Sequence, residues 1–402
     1  MKPLLLSHFT ATSCIGRGLS ETLNALQQGL HALKPCDFET VDLQTYIGEV
    51  EGLDTVKMPP HMQAYDCRNN RLAQLAMMQD GFDQAVMEAA QQYGRDRIGV
   101  FIGTSTSGIL ETEIAFRNRD METGKLPEDF IYPKTQNTYS VADFTRHYFD
   151  LTGPAFAVSS ACSSSAKVFG TARRMIEAGV IDAAVIGGVD TLCLTTLYGF
   201  NSLGLLSPQA CRPCDAERDG ISIGEAAAFI LLERPTEQLD DDSILLLGLG
   251  ESSDAYHMSS PHPEGLGAQM AMQQALKTAA LTASDIDYIN LHGTSTPSND
   301  AAEAKAVNAV FNTQVPCSSS KGATGHTLGA AGAIEAIICA LALRHAFIPG
   351  GLNTQHIDPQ LNINYQLENK PQTLKRVMSN SFGFGGTNCS LVLGLAKQIG
   401  SN

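Results

Sequence analysis

One cysteine, two histidines and a lysine stand in turns built of glycine and serine. Cys162 lies in Val158-Ser-Ser-Ala-Cys-Ser-Ser-Ser-Ala-Lys167, His292 in Asn290-Leu-His-Gly-Thr-Ser-Thr-Pro297, and Lys321 and His326 in Ser318-Ser-Ser-Lys-Gly-Ala-Thr-Gly-His326. The small residues around Cys162 let the chain turn sharply from a strand into a helix, which puts the sulfur in that helix's first turn. Unpaired N–H groups and the positive end of the helix dipole there favour a thiolate and can also hold a developing oxyanion. Taken singly, a thiol of this kind reads as a small core residue and a histidine in a turn as structural. Taken together they are a nucleophile with two imidazoles. A cysteine hydrolase needs one histidine and an Asn or Asp to orient it. Two imidazoles suit a reaction in which a carbonyl oxygen carries enolate charge, because both can donate hydrogen bonds to it.

Other polar groups sit where an apolar stretch would not need them. Glu335 falls in a run that is apolar almost all round (Ala330, Ala331, Ile334, Ile337, Ile338, Leu341), so it is expected to be a buried carboxylate with a cationic or hydrogen-bonded partner. Near the C-terminus, Ser379-Asn-Ser-Phe382-Gly-Phe384-Gly-Gly-Thr-Asn388 flanks an aromatic ring with glycines, which fits either a gate over a tunnel or a tight turn beside a strand.

The elements that must position these groups alternate between strand and helix. Strands are predicted at 98–102, 155–158, 183–186, 244–249, 286–291 and 390–393, and helices at 71–92, 162–178, 268–280, 300–311 and 329–345. Cys162, Ala166, Phe169, Ala172 and Ile176 share one face of the second helix, and Gly179 ends it. The pattern is α/β with helices on both sides of the sheets. An internal echo sharpens it. Ile98-Gly-Val-Phe-Ile-Gly103-Thr-Ser-Thr106 returns as Ile286 to Leu291 followed by His292-Gly293-Thr-Ser-Thr296, and each copy leads to a Ser-rich turn and a small-residue helix. The fold is thus expected to be duplicated, with an N-terminal half over 1–245 carrying the cysteine and a C-terminal half over 246–402 carrying both histidines.

A chain of 402 residues, 43% hydrophobic and 17% charged, has room for a large globular core. Its net charge of −15 lacks the basic footprint of a nucleic-acid binder. The N-terminal Leu4-Leu-Leu run is interrupted too early for a secretory signal, and no membrane span is expected. Ten cysteines without a disulfide framework fit a reducing cytoplasm. The basic cluster Arg68-Asn-Asn-Arg71, read from charge alone, is an ordinary solvated helix end.

In the order of its motifs the sequence resembles the β-ketoacyl-(acyl carrier protein) synthases of the thiolase fold, in their elongating Cys-His-His branch. The resemblance spans essentially the whole chain. It rests on Ser160-Ala-Cys162-Ser, Arg212-Pro-Cys-Asp215-Ala-Glu-Arg-Asp-Gly220, Ser252-Ser-Asp-Ala-Tyr-His-Met258, His292-Gly-Thr-Ser-Thr-Pro, Lys321-Gly-Ala-Thr-Gly-His326 and Asn380-Ser-Phe-Gly-Phe-Gly-Gly-Thr-Asn388. It implies a layered αβαβα architecture and a decarboxylative Claisen condensation: Cys162 accepts the acyl group, and His292 and His326 hold the malonyl thioester carbonyl while CO2 leaves. By the same resemblance the backbone N–H groups of Cys162 and Phe384 form the oxyanion site, Lys321 and Glu303 are a supporting ion pair, and Phe384 is the gate. Thr294, Thr296 and Phe382 contact substrate, and Thr106 lines the acyl tunnel at a dimer interface. Asn290, Glu335, Ser379 and Asn380 match a structural monovalent or divalent cation site, with no cofactor required for catalysis. Arg68 and Arg71 grip an acidic acyl carrier protein bearing phosphopantetheine.

Three departures from the family pattern bear on the substrate. Cys214 replaces an aromatic residue and creates Cys211-Arg-Pro-Cys214, Ala226 stands where a glycine is usual, and Thr106 is polar. They leave room for a fatty acid, aryl polyene or type II polyketide pathway, with the chain in a homodimer or paired with a chain-length-factor paralogue. The alternatives are that the chain is itself the non-catalytic chain-length partner, in which the nucleophile is normally missing, or a cysteine acyl hydrolase.

Overall fold

The computed structural model describes residues 1–237 and 239–398. In the N-terminal half the principal strands are β1 (Leu4–Ser13), β2 (Ile98–Gly103), β3 (Ala155–Val158), β4 (Ala183–Asp190) and β5 (Ala226–Glu233). In the C-terminal half they are β6 (Ile244–Ser253), β7 (Tyr288–Asn290), β8 (Pro316–Ser318), β9 (Arg376–Gly383) and β10 (Thr387–Leu395). The first set pairs in the order β3-β2-β4-β5-β1 and the second as β8-β7-β9-β10-β6. In both, the first two pairings are parallel and the last two antiparallel, so the halves repeat one topology. Strand β2, parallel to a neighbour on each side, reads as an unbroken apolar run because both of its faces are covered; every residue from Ile98 to Gly103 is buried. The two sheets meet at one short antiparallel ladder, Leu4–Leu6 against Ile244–Leu246.

The helices that matter below are α1 (Arg68–Met77), α2 (Phe82–Tyr93), α3 (Ser140–Tyr148), α4 (Ser164–Glu177), α5 (Leu194–Ser202), α6 (Leu266–Ala279), α7 (Pro297–Phe311) and α8 (Ala331–His345). Helices α4 and α8 pack on each other between the sheets, α1 to α3 cover the outer face of the first sheet, and α6 and α7 cover the second. This is the αβαβα layering of the thiolase fold.

One expectation changes. The single helix predicted over 71–92 is two helices, α1 and α2, split where Asp80 and Gly81 take left-handed φ of 56° and 68°. Asp80 stays there because its carboxylate accepts the Thr10 hydroxyl at 2.8 Å and the Leu19 N–H at 3.0 Å. The stretch 328–345 is apolar enough by composition to cross a membrane, with mean hydropathy 1.5, yet it is 89% buried as the central core helix.

Candidate active site

Strand β3 delivers the chain into a tight turn in which Ala161 takes φ 51° and Cys162 follows. The turn is pinned by Ser164, whose Oγ accepts the Ser160 N–H at 2.9 Å and donates to the Ala161 carbonyl at 2.5 Å. Thr387 donates to the Ser160 carbonyl at 3.0 Å, so the far half of the molecule also holds this turn. Glycine is required beneath it: a Cβ on Gly103 would lie 2.3 Å from Ser165 N. As the apolar spacing of α4 predicts, Ala166, Phe169, Ala172 and Ile176 are buried.

Helix α4 begins at Ser164, so Cys162 precedes the helix rather than sitting in its first turn. The sulfur is buried, and burial pushes its thiol up to about 11. The Lys321 ammonium and the N–H groups of Phe384 and Cys162 pull the other way without overcoming it. The resting nucleophile is therefore a thiol, which corrects the expectation of a standing thiolate. The same two N–H groups lie against the sulfur, where an acyl oxygen would need them.

The reactive atoms of Cys162, His292 and His326 all lie within 4.8 Å of one another. His326 Nε2 is 3.1 Å from Sγ, and the two rings meet edge to face at 5.4 Å. Burial holds both imidazoles well below the ordinary histidine range, with the Lys321 ammonium adding to it, so both are neutral. Their far nitrogens accept: His292 Nδ1 faces Lys321 Nζ at 3.3 Å, and His326 Nδ1 receives the Leu328 N–H at 3.3 Å. That assigns the remaining ring protons to Nε2, and His326 Nε2 faces the sulfur.

The support behind the rings differs from the expected Lys321–Glu303 ion pair. Lys321 pairs instead with Glu335 on α8, both buried, which gives that carboxylate its partner. Glu303, on α7, accepts the backbone N–H groups of His292 and Gly293 at 2.8 Å each and Asn380 Nδ2 at 3.2 Å. It fixes the backbone of His292 while Lys321 fixes the ring. Burial pushes Glu303 and Glu335 each up to about 7.

Thr294, Thr296, Phe382 and Phe384 line the cleft over these groups. Residues not singled out from the sequence join them, among them Phe200 on α5, whose ring meets that of Phe384 at 5.7 Å, and Asp254. Asp254 ties down the segment that carries Phe384: its carboxylate accepts Asn388 Nδ2 at 2.7 Å, and its N–H donates to the Gly386 carbonyl at 2.8 Å. The sequence signal for it was its place in the Ser252–Met258 motif.

Two further expectations are corrected, those for Arg68 and Thr106, while Arg71 stays partly exposed. Arg68 is 3% exposed and its guanidinium is taken up by Glu225, Glu49 and Asp54, so it cannot face a carrier protein. Arg71 is bound to Asp66 at 2.6 Å and its side chain is 24% exposed. Thr106 is buried with its hydroxyl donated to Asp190 at 2.9 Å, away from the cleft lining. Cys211 and Cys214 are both buried and unbridged, and Cys211 donates to the Lys321 carbonyl at 3.2 Å, which makes the pair structural.

A buried thiol with two neutral imidazole donors and two oxyanion N–H groups defines the class: an acyl-transferring condensing enzyme. Family models for the N-terminal and C-terminal domains of beta-ketoacyl synthase match residues 11–238 and 245–355, and the chain belongs to that family. Its similarity extends to the 3-oxoacyl-[acyl-carrier-protein] synthase 2 of Vibrio cholerae, 32% identical over 94% of this chain and 96% of that one. The mitochondrial 3-oxoacyl-[acyl-carrier-protein] synthase of Arabidopsis thaliana is 36% identical over 77% of this chain and 72% of its own. Among solved structures, a ketosynthase in complex with its chain length factor from Xenorhabdus doucetiae superposes with a TM-score of 0.88, 38% identity and 98% coverage of both chains. The protein is an enzyme of this kind, a 3-oxoacyl-(acyl carrier protein) synthase.

Proposed function

We propose the following course for the reaction, carried by the convergence of Cys162, His292 and His326 within 4.8 Å. Sγ attacks the carbonyl of an acyl thioester, the phosphopantetheine thiol leaves with the thiol proton, and the acyl group stays on sulfur. A malonyl thioester then places its carbonyl oxygen between the two imidazoles. The C–C bond to the carboxylate breaks, CO2 departs, and its electron pair forms an enolate that two Nε2–H donors stabilise. The enolate carbon attacks the acyl carbonyl, whose oxygen rests on the N–H groups of Cys162 and Phe384. The C–S bond breaks, the 3-oxoacyl product leaves on its carrier, and the Cys162 thiolate takes up one proton from solvent water. Cys162 with both histidines counts against a non-catalytic chain-length partner. The test is intact-mass detection of an acyl group on Cys162 and CO2 release from malonyl carrier protein; a protein that never becomes acylated there refutes the reading.

The likeness to a ketosynthase solved with its chain length factor supports a heterodimer with such a paralogue over a homodimer, and the departures at Cys214, Ala226 and Thr106 support an aryl polyene or type II polyketide pathway over housekeeping fatty acid synthesis. Co-expression with a candidate paralogue and size-exclusion chromatography decide between them. Ten free cysteines support a cytoplasmic location. A structural cation fits the residues named for it: both side-chain atoms of Asn290, Glu335 Oε2 and Ser379 Oγ are buried without a hydrogen-bond partner. Those three would hold it; the Asn380 side chain is already engaged with Glu303 and Ser390. Such an ion would satisfy the unpartnered oxygens of Asn290, Glu335 and Ser379 and take no part in bond making.

A further inference from the structure

At the end of β4, Asp190 is a fully buried carboxylate on which the reaction makes no direct call. Its Oδ1 accepts the Thr104 hydroxyl at 2.7 Å, the Ser105 and Thr106 N–H groups at 2.8 Å each, and the Thr106 hydroxyl at 2.9 Å. Its Oδ2 reaches into the other half of the molecule and accepts the Gly329 N–H at 2.5 Å. Gly329 is held closely there, since a Cβ would lie 2.8 Å from Asp190 Oδ2 and from Ser105 N and Oγ. The preceding residue, Leu328, has φ 52°, a conformation that costs a branched side chain energy and must be held by its surroundings. It is in that conformation that the Leu328 N–H lies 3.3 Å from His326 Nδ1.

We infer that Asp190 is a positioning residue for His326. By clamping Gly329 N–H it keeps Leu328 in its strained turn and the Leu328 N–H on Nδ1, so the ring carries its proton on Nε2. The chain of contacts runs from strand end to carboxylate, to Gly329, to Leu328, to the imidazole. Its consequence is chemical: with the proton on Nδ1 instead, Nε2 would turn a lone pair toward the enolate oxygen and repel it. In Asp190→Asn an amide NH2 must face N–H groups that now expect an acceptor. Gly329 is released, Leu328 relaxes, and the two His326 tautomers mix.

The role in catalysis rests on the condensing-enzyme reading, whereas the tautomer can be read without it. The experiment is nitrogen NMR of the full-length protein with labelled histidine, His326 assigned by His326→Asn, alongside decarboxylation and condensation assays on malonyl carrier protein. In the wild type, His326 is expected to show an unprotonated Nδ1 and a protonated Nε2. Asp190→Asn, checked for folding by thermal melting, should show mixed tautomers. Its kcat for decarboxylation should fall by about 10- to 100-fold, part of the roughly 10²- to 10³-fold that losing an oxyanion donor costs, with KM for malonyl carrier protein unchanged within about twofold. Thr104→Val removes one donor and leaves the grip on Gly329, so its tautomer and rate should stay within about twofold of wild type. A protonated Nδ1 in the wild type overturns the proposal even if Asp190→Asn fails to fold. So does a folded Asp190→Asn that keeps the wild-type tautomer and rate. A tautomer that shifts as expected in a protein with no condensing activity would instead refute the functional reading.

Discussion

The peptide Gly-Thr-Ser-Thr occurs twice, after β2 and after β7, and the two copies do different work. In the first half, Thr104 and Thr106 are turned inward onto Asp190, a carboxylate supplied by the neighbouring strand β4. In the second half the carboxylates come from α7, which follows the turn. Glu303 takes the His292 and Gly293 N–H groups, and Asp300 takes the Ser295 N–H at 3.3 Å. With its backbone held from behind, the second turn leaves Thr294 and Thr296 on the cleft, bonded to each other at 2.9 Å. One turn became scaffold and the other a binding surface, and the source of the carboxylate separates them. The same division holds for the chemistry, since one half supplies the nucleophile and the other the donors.

Breaking that division gives the largest effect. Cys162→Ala should abolish condensation while malonyl decarboxylation persists, because the donors of the second half are untouched; product and CO2 measured on one sample check it. In the other direction, His292→Ala or His326→Ala should lower decarboxylation by about 10²- to 10³-fold through loss of an enolate donor, measured by CO2 release. Lys321→Ala leaves Glu335 a buried carboxylate without its cation, and should cost about 3–5 kcal/mol in urea unfolding. The alkylation rate of Cys162 in the unliganded enzyme should rise about tenfold per pH unit from pH 7 to 9, since a thiol pushed up to about 11 gains thiolate throughout that range. A plateau by pH 8, read by mass spectrometry, would show the thiol is not held up. The two turns themselves give the smallest and sharpest contrast. Thr296→Val should raise KM for malonyl carrier protein about fivefold, near 1 kcal/mol, and, because the Thr296 hydroxyl also caps α7 by accepting the Asn299 N–H, should cost about 0.5–2 kcal/mol of stability, whereas Thr106→Val should cost about 1–3 kcal/mol of stability with KM unchanged.

Much of this was legible in the sequence because it is local. Cys162 and the two histidines stand in turns whose composition marks them, and the echo of one strand and turn exposed the duplication. What was not legible depends on contacts between distant segments. Lys321 could have paired with either buried glutamate, and only the depth of α8 beside the Lys321 turn selects Glu335 over Glu303. Arg68 reads as a solvated helix end, yet Glu225, far along the chain, draws it into the interior. The helix predicted over 71–92 breaks because Asp80 serves as acceptor for Thr10 and Leu19 on another element. The Cys162 thiol follows from how deeply the sulfur is enclosed, which helix-start chemistry alone does not report. Asp190 ends an apolar strand with no motif around it, and its five donors come from both halves.

The ladder that joins the sheets has a bearing on how the molecule is made. Strand β1 is translated first, yet both of its long-range partners, β5 and β6, lie beyond residue 225. Neither sheet can be completed at its inner edge until those strands have emerged, so the ordering of the whole waits on pairings of high sequence separation, a slow arrangement that leaves apolar edges open in the interval. Nascent chains that stop short of Ile244 would hold helices and partial sheets but lack the seam, and a chaperone that shields strand edges would find its substrate there.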